Sequence, residues 1–393
     1  MHLSHLSLKD FRNFDELDLT LGTGLFLFQG ENAQGKTNLL EAVAMLATSN
    51  SFHASSDREL VNWHASEHVM RIVAAVERYN EKMNIEIVFF DPTQQEKGSS
   101  VDGEFQSIPS PDRHRKRIKI NGVPKRAIDL IGQVTVVLFS PNDLSLVDGS
   151  PEERRRFLDR GLCQMQPHYC QALQRYRKIV AQRSALLKRI RENQEDPRML
   201  DFLDEKLTEL ATMITFERRR MVASLNQHVD ELQAIISGGR EHLTIVYRPS
   251  FVIDPSWDTL ETLQNYRSQL LDARRKEIRQ GVCLLGPHRD DLEFLVNGVN
   301  MLIYGSRGQQ RTAALASKLG ELAFMRAVTG EEPILLLDDV FSELDFSRRQ
   351  YLIRQVLQHE QVLITATDFA SFPGEILARA HQYRVVNGEV IQY

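Results

Sequence analysis

Gly30-Glu31-Asn32-Ala33-Gln34-Gly35-Lys36-Thr37 matches the pattern GxxxxGK[ST] in full. The residue types suit a phosphate chain. The two glycines permit a tight loop whose backbone N–H groups face anionic oxygens, and a helix opening at Lys36 adds its dipole. Lys36 would reach the β- and γ-phosphates of ATP, and the Thr37 hydroxyl would ligate Mg2+. A glycine turn capping an ordinary helix is the competing reading. The strand-like run Leu25–Phe28 before the loop and the helical spacing of Leu39, Leu40, Val43, Ala44 and Leu46 after it favour the phosphate loop.

A second chemical element lies near the other end of the chain. Ile334–Leu337 is an apolar run that ends on Asp338 and Asp339. P-loop nucleotidases need a carboxylate at a strand's C-terminal end to hold Mg2+. Asp338 fits that role, and Asp339 is placed to orient or deprotonate the attacking water. Alone the run would read as a core strand with an acidic turn; beside a phosphate loop in the same chain it reads as the metal strand. Lys36 and Asp338 are separated by 338 − 36 = 302 positions. Small GTPases and compact kinases close this distance within one short domain, whereas SMC-like ATPases split one nucleotide fold between the two ends of a chain.

Gly305-Ser306-Arg307-Gly308-Gln309-Gln310-Arg311 opens the helix that leads to the Asp338 strand. It resembles an ABC-type signature loop, in which a Ser hydroxyl, glycine backbone and helix N-terminus form an anion site. That assigns nucleotide contacts to Ser306, Gly308 and Gln309, facing the γ-phosphate held by another subunit. Ser342-Glu343-Leu344-Asp345 follows at the place of a D-loop. Two further positions stay open. After the last core strand no switch His is present, and Asp368 or Thr367 could substitute; a plain strand exit is the alternative. Where a Q-loop Gln is expected stand Asn142 and Asp143.

The elements that must carry these groups are legible in outline. Strand patterns run at 1–8, 25–28, 69–76, 83–90, 118–120 and 134–139, with a polar loop expected over 91–108. From Pro151 to about Ile236 the pattern is helical and charged, and Pro197 divides it into two long helices that would fit an antiparallel arm. Strand patterns return at 243–247, 282–285, 292–296 and 301–304. A helix from about Gln309, the strand 334–337, a helix near 347–358 and a strand at 361–365 complete an α/β ATPase head. The expected division is an ATPase lobe of 1–140 with 282–393, and a helical lobe of 141–281.

Bulk properties exclude several classes. With 393 residues the chain exceeds what one core usually serves. A net charge of -5 gives no bulk attraction to nucleic acid, so any DNA contact needs a local basic face. No apolar run approaches the ~20 residues needed to span a bilayer, and the first residues lack the pattern of a secretory signal. Cys163, Cys170 and Cys283 form no CxxC pair, which suits a reduced cytoplasmic setting.

Taken together these segments resemble the RecF family of bacterial recombination and gap-repair ATPases. The resemblance rests on Phe11-Arg12-Asn13-Phe14, on Phe139-Ser-Pro-Asn-Asp-Leu144, on Gly149-Ser-Pro151 with Arg155–Asp159, and on Leu285-Gly-Pro-His-Arg-Asp-Asp291, besides the nucleotide motifs. It implies an ATP-driven homodimer that binds duplex DNA at single-strand/double-strand junctions. Such a dimer would act with RecR and RecO to load RecA on gaps, and slow hydrolysis would reset it. It also implies that Arg12 contacts nucleotide; a surface arginine in a turn is the alternative. The basic clusters Arg113–Arg117, Arg154–Arg156, Arg218–Arg220 and Arg274–Lys276 read first as solvated helix faces and second as phosphate contacts. Sparse aromatic interleaving favours backbone-driven duplex binding over a single-strand stacking groove. The competing function classes are the nucleotide-binding subunit of a transporter and a small-molecule phosphotransferase.

Overall fold

The computed structural model describes residues 1–78, 81–90, 116–254, 256–369 and 372–393. The expected polar loop at 91–108 and the first three residues of the Arg113–Arg117 cluster lie outside the described residues. The chain divides into two compact units, Met1–Pro141 with Thr329–Tyr393, and Asn142–Val328.

Unit 1 begins with β1 (His2–Phe11), β2 (Phe14–Thr20), β3 (Gly24–Gln29), α1 (Lys36–Thr48), β4 (Val69–Arg78), β5 (Glu81–Phe90), β6 (Lys116–Ile120), β7 (Val123–Lys125), α2 (Ala127–Leu130) and β8 (Val136–Phe139). Unit 2 holds α3 (Pro151–Met165), α4 (Pro167–Arg191), α5 (Leu200–Ser237), β9 (Leu243–Arg248), α6 (Thr259–Gln280), β10 (Asp291–Val296), β11 (Val299–Asn300), α7 (Met301–Tyr304) and α8 (Arg307–Thr329). Unit 1 resumes with β12 (Ile334–Asp338), α9 (Phe346–Val356), β13 (Gln361–Ala366), α10 (Gly374–Arg379), β14 (Ala380–Val386) and β15 (Glu389–Gln392).

Two six-stranded sheets form unit 1. One runs β2-β1-β4-β5-β6-β7 and is antiparallel; the other runs β15-β14-β3-β13-β12-β8. In the second, β3, β13, β12 and β8 pair in parallel. Every residue of β12 and β13 is buried, as expected of parallel strands covered on both faces. Helix α1 supplies much of the cover. Leu39, Leu40, Val43, Met45 and Leu46 are fully buried and join side chains of both sheets in one core. Gln361 ties the sheets together. Its side chain bonds the N–H and carbonyl of Leu3 at 2.8 Å each and the carbonyl of Gly22 at 2.7 Å.

In unit 2 the second boundary falls at 328/329 rather than at the expected 281/282. Strands β9–β11 form their own three-stranded sheet, and their Ile245, Leu292, Phe294 and Val296 share a core with Leu207, Ile214 and Leu225 of α5 and with Ala313, Ala316 and Phe324 of α8. Helix α8 therefore packs with the long helices. The helical segment holds three helices before β9, not two. Pro167 at the first position of α4 ends α3 at Gln166, because proline lacks the N–H needed to continue a helix. A free two-helix arm is not formed, since α6 packs on α4 and α5 through Tyr266, Leu270 and the buried Glu277.

Two expected strands are absent. At 282–285 the chain is a loop held by side chains: the Leu284 N–H reaches Glu277 at 2.7 Å, and the Cys283 carbonyl accepts from His288 and Arg289 at 3.2 Å each. At 301–304 it forms the single turn α7, capped by the Asn300 side chain on the Leu302 N–H at 2.9 Å.

Candidate functional site

Strand order places the chemistry. β13 lies between β3, which feeds the phosphate loop, and β12, which ends on Asp338. Asp338 is level with Thr365, and Thr365 with Phe28. The C-terminal ends of all three strands thus meet beside the N-terminus of α1. Thr37 Oγ1 donates toward Asp338 and stands 2.9 Å from each carboxylate oxygen. Two residues that are 301 positions apart in sequence meet here.

Lys36 folds back over its own loop. Its ammonium donates to the carbonyl of Glu31 at 2.8 Å and to that of Gly30. Burial pushes the Lys36 ammonium below its usual range, while Asp339 and then Asp338 pull it back. Asp339 is raised from the usual carboxylate value, first by burial and then by Asp338, with Lys36 opposing. A nearby ammonium and two carboxylates, one of them Thr-bound, are the donor set that a triphosphate with a hard divalent cation needs.

The loop is held in shape from outside. The Gln34 carbonyl accepts from Asn13 Nδ2 at 2.8 Å and from the Gly388 N–H at 3.1 Å, and Gln34 Oε1 accepts from the Asn387 N–H at 2.6 Å. Asn38 Nδ2 donates to Asn13 Oδ1 at 2.8 Å. A Cβ on Gly30 would lie 2.4 Å from the Val385 carbonyl oxygen, and one on Gly35, at φ +114°, would lie 2.6 Å from Asn13. The backbone must approach this closely, so glycine is required at both positions. Ala33 takes φ +66°, and Glu31 and Asn32 are exposed at the loop's rim.

Two residues of this site were not among the expected ones. Thr365 is fully buried. Its hydroxyl donates to Asp338 Oδ1 at 2.7 Å and accepts the Asp339 N–H at 3.1 Å. It thus orients the Asp338 carboxylate, while Thr367 and Asp368 follow beyond the strand's end. Asn13 is the other, inside the Phe11–Phe14 segment. Its place in that segment was the sequence signal for it, and its contact with the loop is made only in the fold.

Arg12, at φ +56°, is bound to the fully buried Glu41 by Nε at 2.8 Å and Nη2 at 2.9 Å, and to the Glu59 carbonyl by Nη1 at 2.9 Å. Three of the five guanidinium N–H groups are engaged in this way and two remain. The side chain is a strut between the turn and α1, and it keeps limited capacity for a phosphate.

In unit 2, Ser306 and Gln309 form a reciprocal cap. The Gln309 N–H reaches Ser306 Oγ at 3.2 Å, and the Ser306 N–H reaches Gln309 Oε1 at 3.0 Å. The capping hydroxyl still has its own proton to donate outward. Ser306 and Arg307 are exposed, while the Gly308 carbonyl accepts from Thr312 Oγ1 at 2.9 Å. Asp143, one of the two open Q-loop positions, raises the pKa of both buried members of the Lys318–Glu321 ion pair on α8, behind the dominant effects of burial and of the pair itself.

The basic clusters divide sharply. Arg154 is buried on Asp291 at 2.7 Å. Arg218 is buried against Asp159 at 2.8 Å and the Pro287 carbonyl at 2.7 Å. Arg274 pairs with Asp201 and Asp204 at 2.6 Å each. Arg154 and Arg218 are buried ion pairs and Arg274 is a half-buried one, rather than solvated faces. Asp290 accepts from Tyr247 and from the Ser250 N–H at 2.7 Å, so the Gly286–Asp291 segment is a structural knot. Arg220, Arg275 and Lys276 are exposed, as is Arg156, which pairs with Glu152 on the same helix.

Fold and site together define a P-loop ATPase head of the kind that joins chain segments far apart in sequence. A solved SMC head bound to the C-terminal winged-helix domain of ScpA shares the fold at TM-score 0.54 and 13% identity, covering 100% of this chain and 97% of that one. The family model described as RecF/RecN/SMC N terminal domain matches residues 2–372. The DNA replication and repair protein RecF of Chloroflexus aurantiacus is 43% identical over 99% of both chains, and that of Halalkalibacterium halodurans is 38% identical over 99% of both. A solved structure described as the recombination mediator protein RecF-ATP in the RecFOR pathway matches at TM-score 0.86 and 30% identity, covering 100% of this chain and 97% of that one. This chain belongs to the RecF family.

Proposed function

We propose that this protein is an ATP-gated DNA-binding protein of replication and recombinational repair. The observation that carries the reading is Thr37 Oγ1 placed 2.9 Å from both oxygens of Asp338, at the foot of a loop that also holds Lys36. Gly30, Glu31, Asn32, Ala33, Gln34 and Gly35 would wrap the phosphates with backbone N–H groups. Thr37 and Asp338 would hold Mg2+, which supplies charge neutralisation at the β- and γ-oxygens when bound. Asp339, with its raised pKa, is suited to take a proton from the attacking water.

The homodimer rests on three features. Ser306 keeps a donor proton at an exposed helix start, as a trans γ-phosphate contact requires. Ile303 and Tyr304 beside it are 67% and 73% exposed, and Phe346 after the Ser342–Asp345 loop is 75% exposed. Large apolar side chains left in water next to signature and D-loop positions suit a surface that another copy covers. The closed dimer would hold duplex DNA at gap junctions through the exposed cations, act in the cytoplasm with RecR and RecO, and promote RecA loading. Full-length similarity to RecF proteins gives the transporter and phosphotransferase alternatives no support.

The test is light scattering of the wild type, Lys36→Arg and Ser306→Arg with ATP, Mg2+ and duplex DNA. The expected result is an ATP-dependent dimer in the wild type alone, with Ser306→Arg still binding nucleotide. A wild type that stays monomeric with ATP overturns the gating, and a dimerising Ser306→Arg overturns the trans contact.

A further inference from the structure

Strand β9 is an edge of the three-stranded sheet in unit 2, and its outer side is covered over only part of its length. The Asn297 N–H donates to the His242 carbonyl at 2.9 Å, and Leu243 is level with Val296. Even-numbered residues of β9 therefore bond to β10, and odd-numbered ones turn their N–H and C=O outward. Ile245 is one of these. Asn226 of α5 serves it as a neighbouring strand would, with Nδ2 on its carbonyl and Oδ1 on its N–H, both at 2.8 Å. Further along, Gln269 of α6 serves Val252 the same way, at 2.9 Å and 3.0 Å.

Between these two side-chain amides lies Tyr247. Its N–H and C=O face a groove of about 710 Å³ formed by α5, β9 and the following segment. Its own hydroxyl is turned away onto Asp290. Val222 and Ala223 of α5 and Phe251, Val252 and Ile253 give the groove apolar walls, and Val252 is 71% exposed. The only charged residues lining it, among the described residues, are Arg219 and Arg248, both positive, and Arg248 shares its charge with Glu293 at 2.7 Å.

We propose that this groove takes a short, extended, acidic segment of a partner protein, which pairs with β9 at Tyr247. A donor and an acceptor side by side on a strand edge are matched by a peptide backbone. Duplex DNA has phosphate acceptors for the arginines but no backbone donor for the Tyr247 carbonyl, and nothing to set against Val222 and Phe251. The two amide plugs fix the ends of the open stretch, so the bonded core of the ligand is only a few residues long. Alternate side chains would enter the apolar walls, and the acidic ones between them would meet Arg219 and Arg248. This site is independent of the nucleotide reading.

The test uses the full chain and fluorescence anisotropy with blocked ten-residue peptides. One alternates Val with Glu, one alternates Val with Lys, and one is the Val/Glu peptide N-methylated at its central residues. The Val/Glu peptide is expected to bind. The N-methyl peptide should be weaker by about fivefold to tenfold, the loss of roughly one net hydrogen bond, and the Lys peptide weaker still. Val252→Asp and Arg219→Glu should each lower affinity for the Val/Glu peptide while leaving ATP affinity and melting temperature unchanged. Hydrogen exchange at the Tyr247 amide should slow only with the unmethylated peptide. Equal binding of the N-methyl peptide, or no binding of the Val/Glu peptide at 1 mM, overturns the proposal. Displacement of the bound peptide by duplex DNA that slows the same amides also overturns it, and marks a nucleic-acid groove instead.

Discussion

Thr365→Val removes one hydroxyl and leaves the shape of a fully buried side chain nearly unchanged. The hydroxyl donates to Asp338 Oδ1 at 2.7 Å, with the Leu337 carbonyl at 3.4 Å as a weaker second acceptor, and it accepts the Asp339 N–H at 3.1 Å. That N–H keeps the Thr365 carbonyl at 3.3 Å, so its loss is partial. The bond to the carboxylate is charge-assisted, and removing it should cost about 2 kcal/mol of folding stability. The larger effect is on orientation. With Thr365 gone, only Thr37 steers Asp338, and loss of a partner that orients a metal-binding carboxylate typically lowers metal affinity by about 10–100-fold. Calorimetric titration with ATP, once with Mg2+ and once with EDTA, separates the two. The Mg2+-dependent increment in affinity should shrink by about 10–100-fold, while the EDTA titration, which reads Lys36 and the loop N–H groups, stays unchanged. Thr365→Ser should restore both. Equal weakening in the two buffers, or no weakening, would refute the idea that Thr365 acts through Asp338.

Three other substitutions test separate parts of the structure. Asp339→Asn should abolish turnover and hold the ATP-bound dimer, read by phosphate release and light scattering. Because the native pKa of Asp339 is raised, its ionised form opposes folding as pH rises through the interval from the unfolded value to the native one. The Asn variant should therefore be no less stable than wild type at neutral pH, and the acid limb of wild-type hydrolysis should lie above the usual carboxylate range. Gly388→Ala forces a Cβ to 2.1 Å from the Asn13 carbonyl oxygen at φ +82°; melting should show a loss of about 1–3 kcal/mol, with weaker ATP binding as Gln34 loses its brace. His288 is pushed down to about 4 by burial, with its ring on Tyr176 and on the Cys283 carbonyl. The unfolded chain takes up the proton first, so stability should fall by roughly 3 kcal/mol as pH drops from 6.5 to 4, and His288→Gln should flatten that slope in urea titrations.

The nucleotide elements were legible because each combines a chemical pattern with a period. Glycines before a helical repeat marked the loop, and an apolar run closed by Asp338 and Asp339 marked β12. Other features were written in signals of a different kind. The hairpin β14–β15 carries Asn387-Gly388 between alternating residues, the pattern of a tight turn with positive φ at both positions. Helix α6 was announced by Asp258 and Glu261, which form a reciprocal cap at 2.8 Å each. The 282–285 run failed as a strand because its polar backbone is satisfied by the nearby side chains of Glu277, His288 and Arg289, contacts that leave no mark on an apolar period. Arg154, Arg218 and Arg274 were unreadable because their partners are far away in sequence. A run of cations looks the same whether its partners are water, phosphate or the distant Asp291, Asp159 and Asp204.

The position of β3 between β13 and β14 has a consequence for synthesis of the chain. Both neighbours of the strand that feeds the phosphate loop come from residues after 360. At ~5–20 residues per second, roughly 15–60 s pass between translation of Thr37 and translation of Asp338. Through that interval Leu25–Phe28 has no parallel partner, and the carboxylate for the Thr37 hydroxyl does not yet exist. A ribosome-bound chain can thus complete neither the sheet nor the Thr37–Asp338 contact early, and nucleotide binding becomes a property that only a nearly finished chain acquires. A chain cut short anywhere before β13 would carry the whole phosphate-loop sequence and still lack the strands that hold it in place.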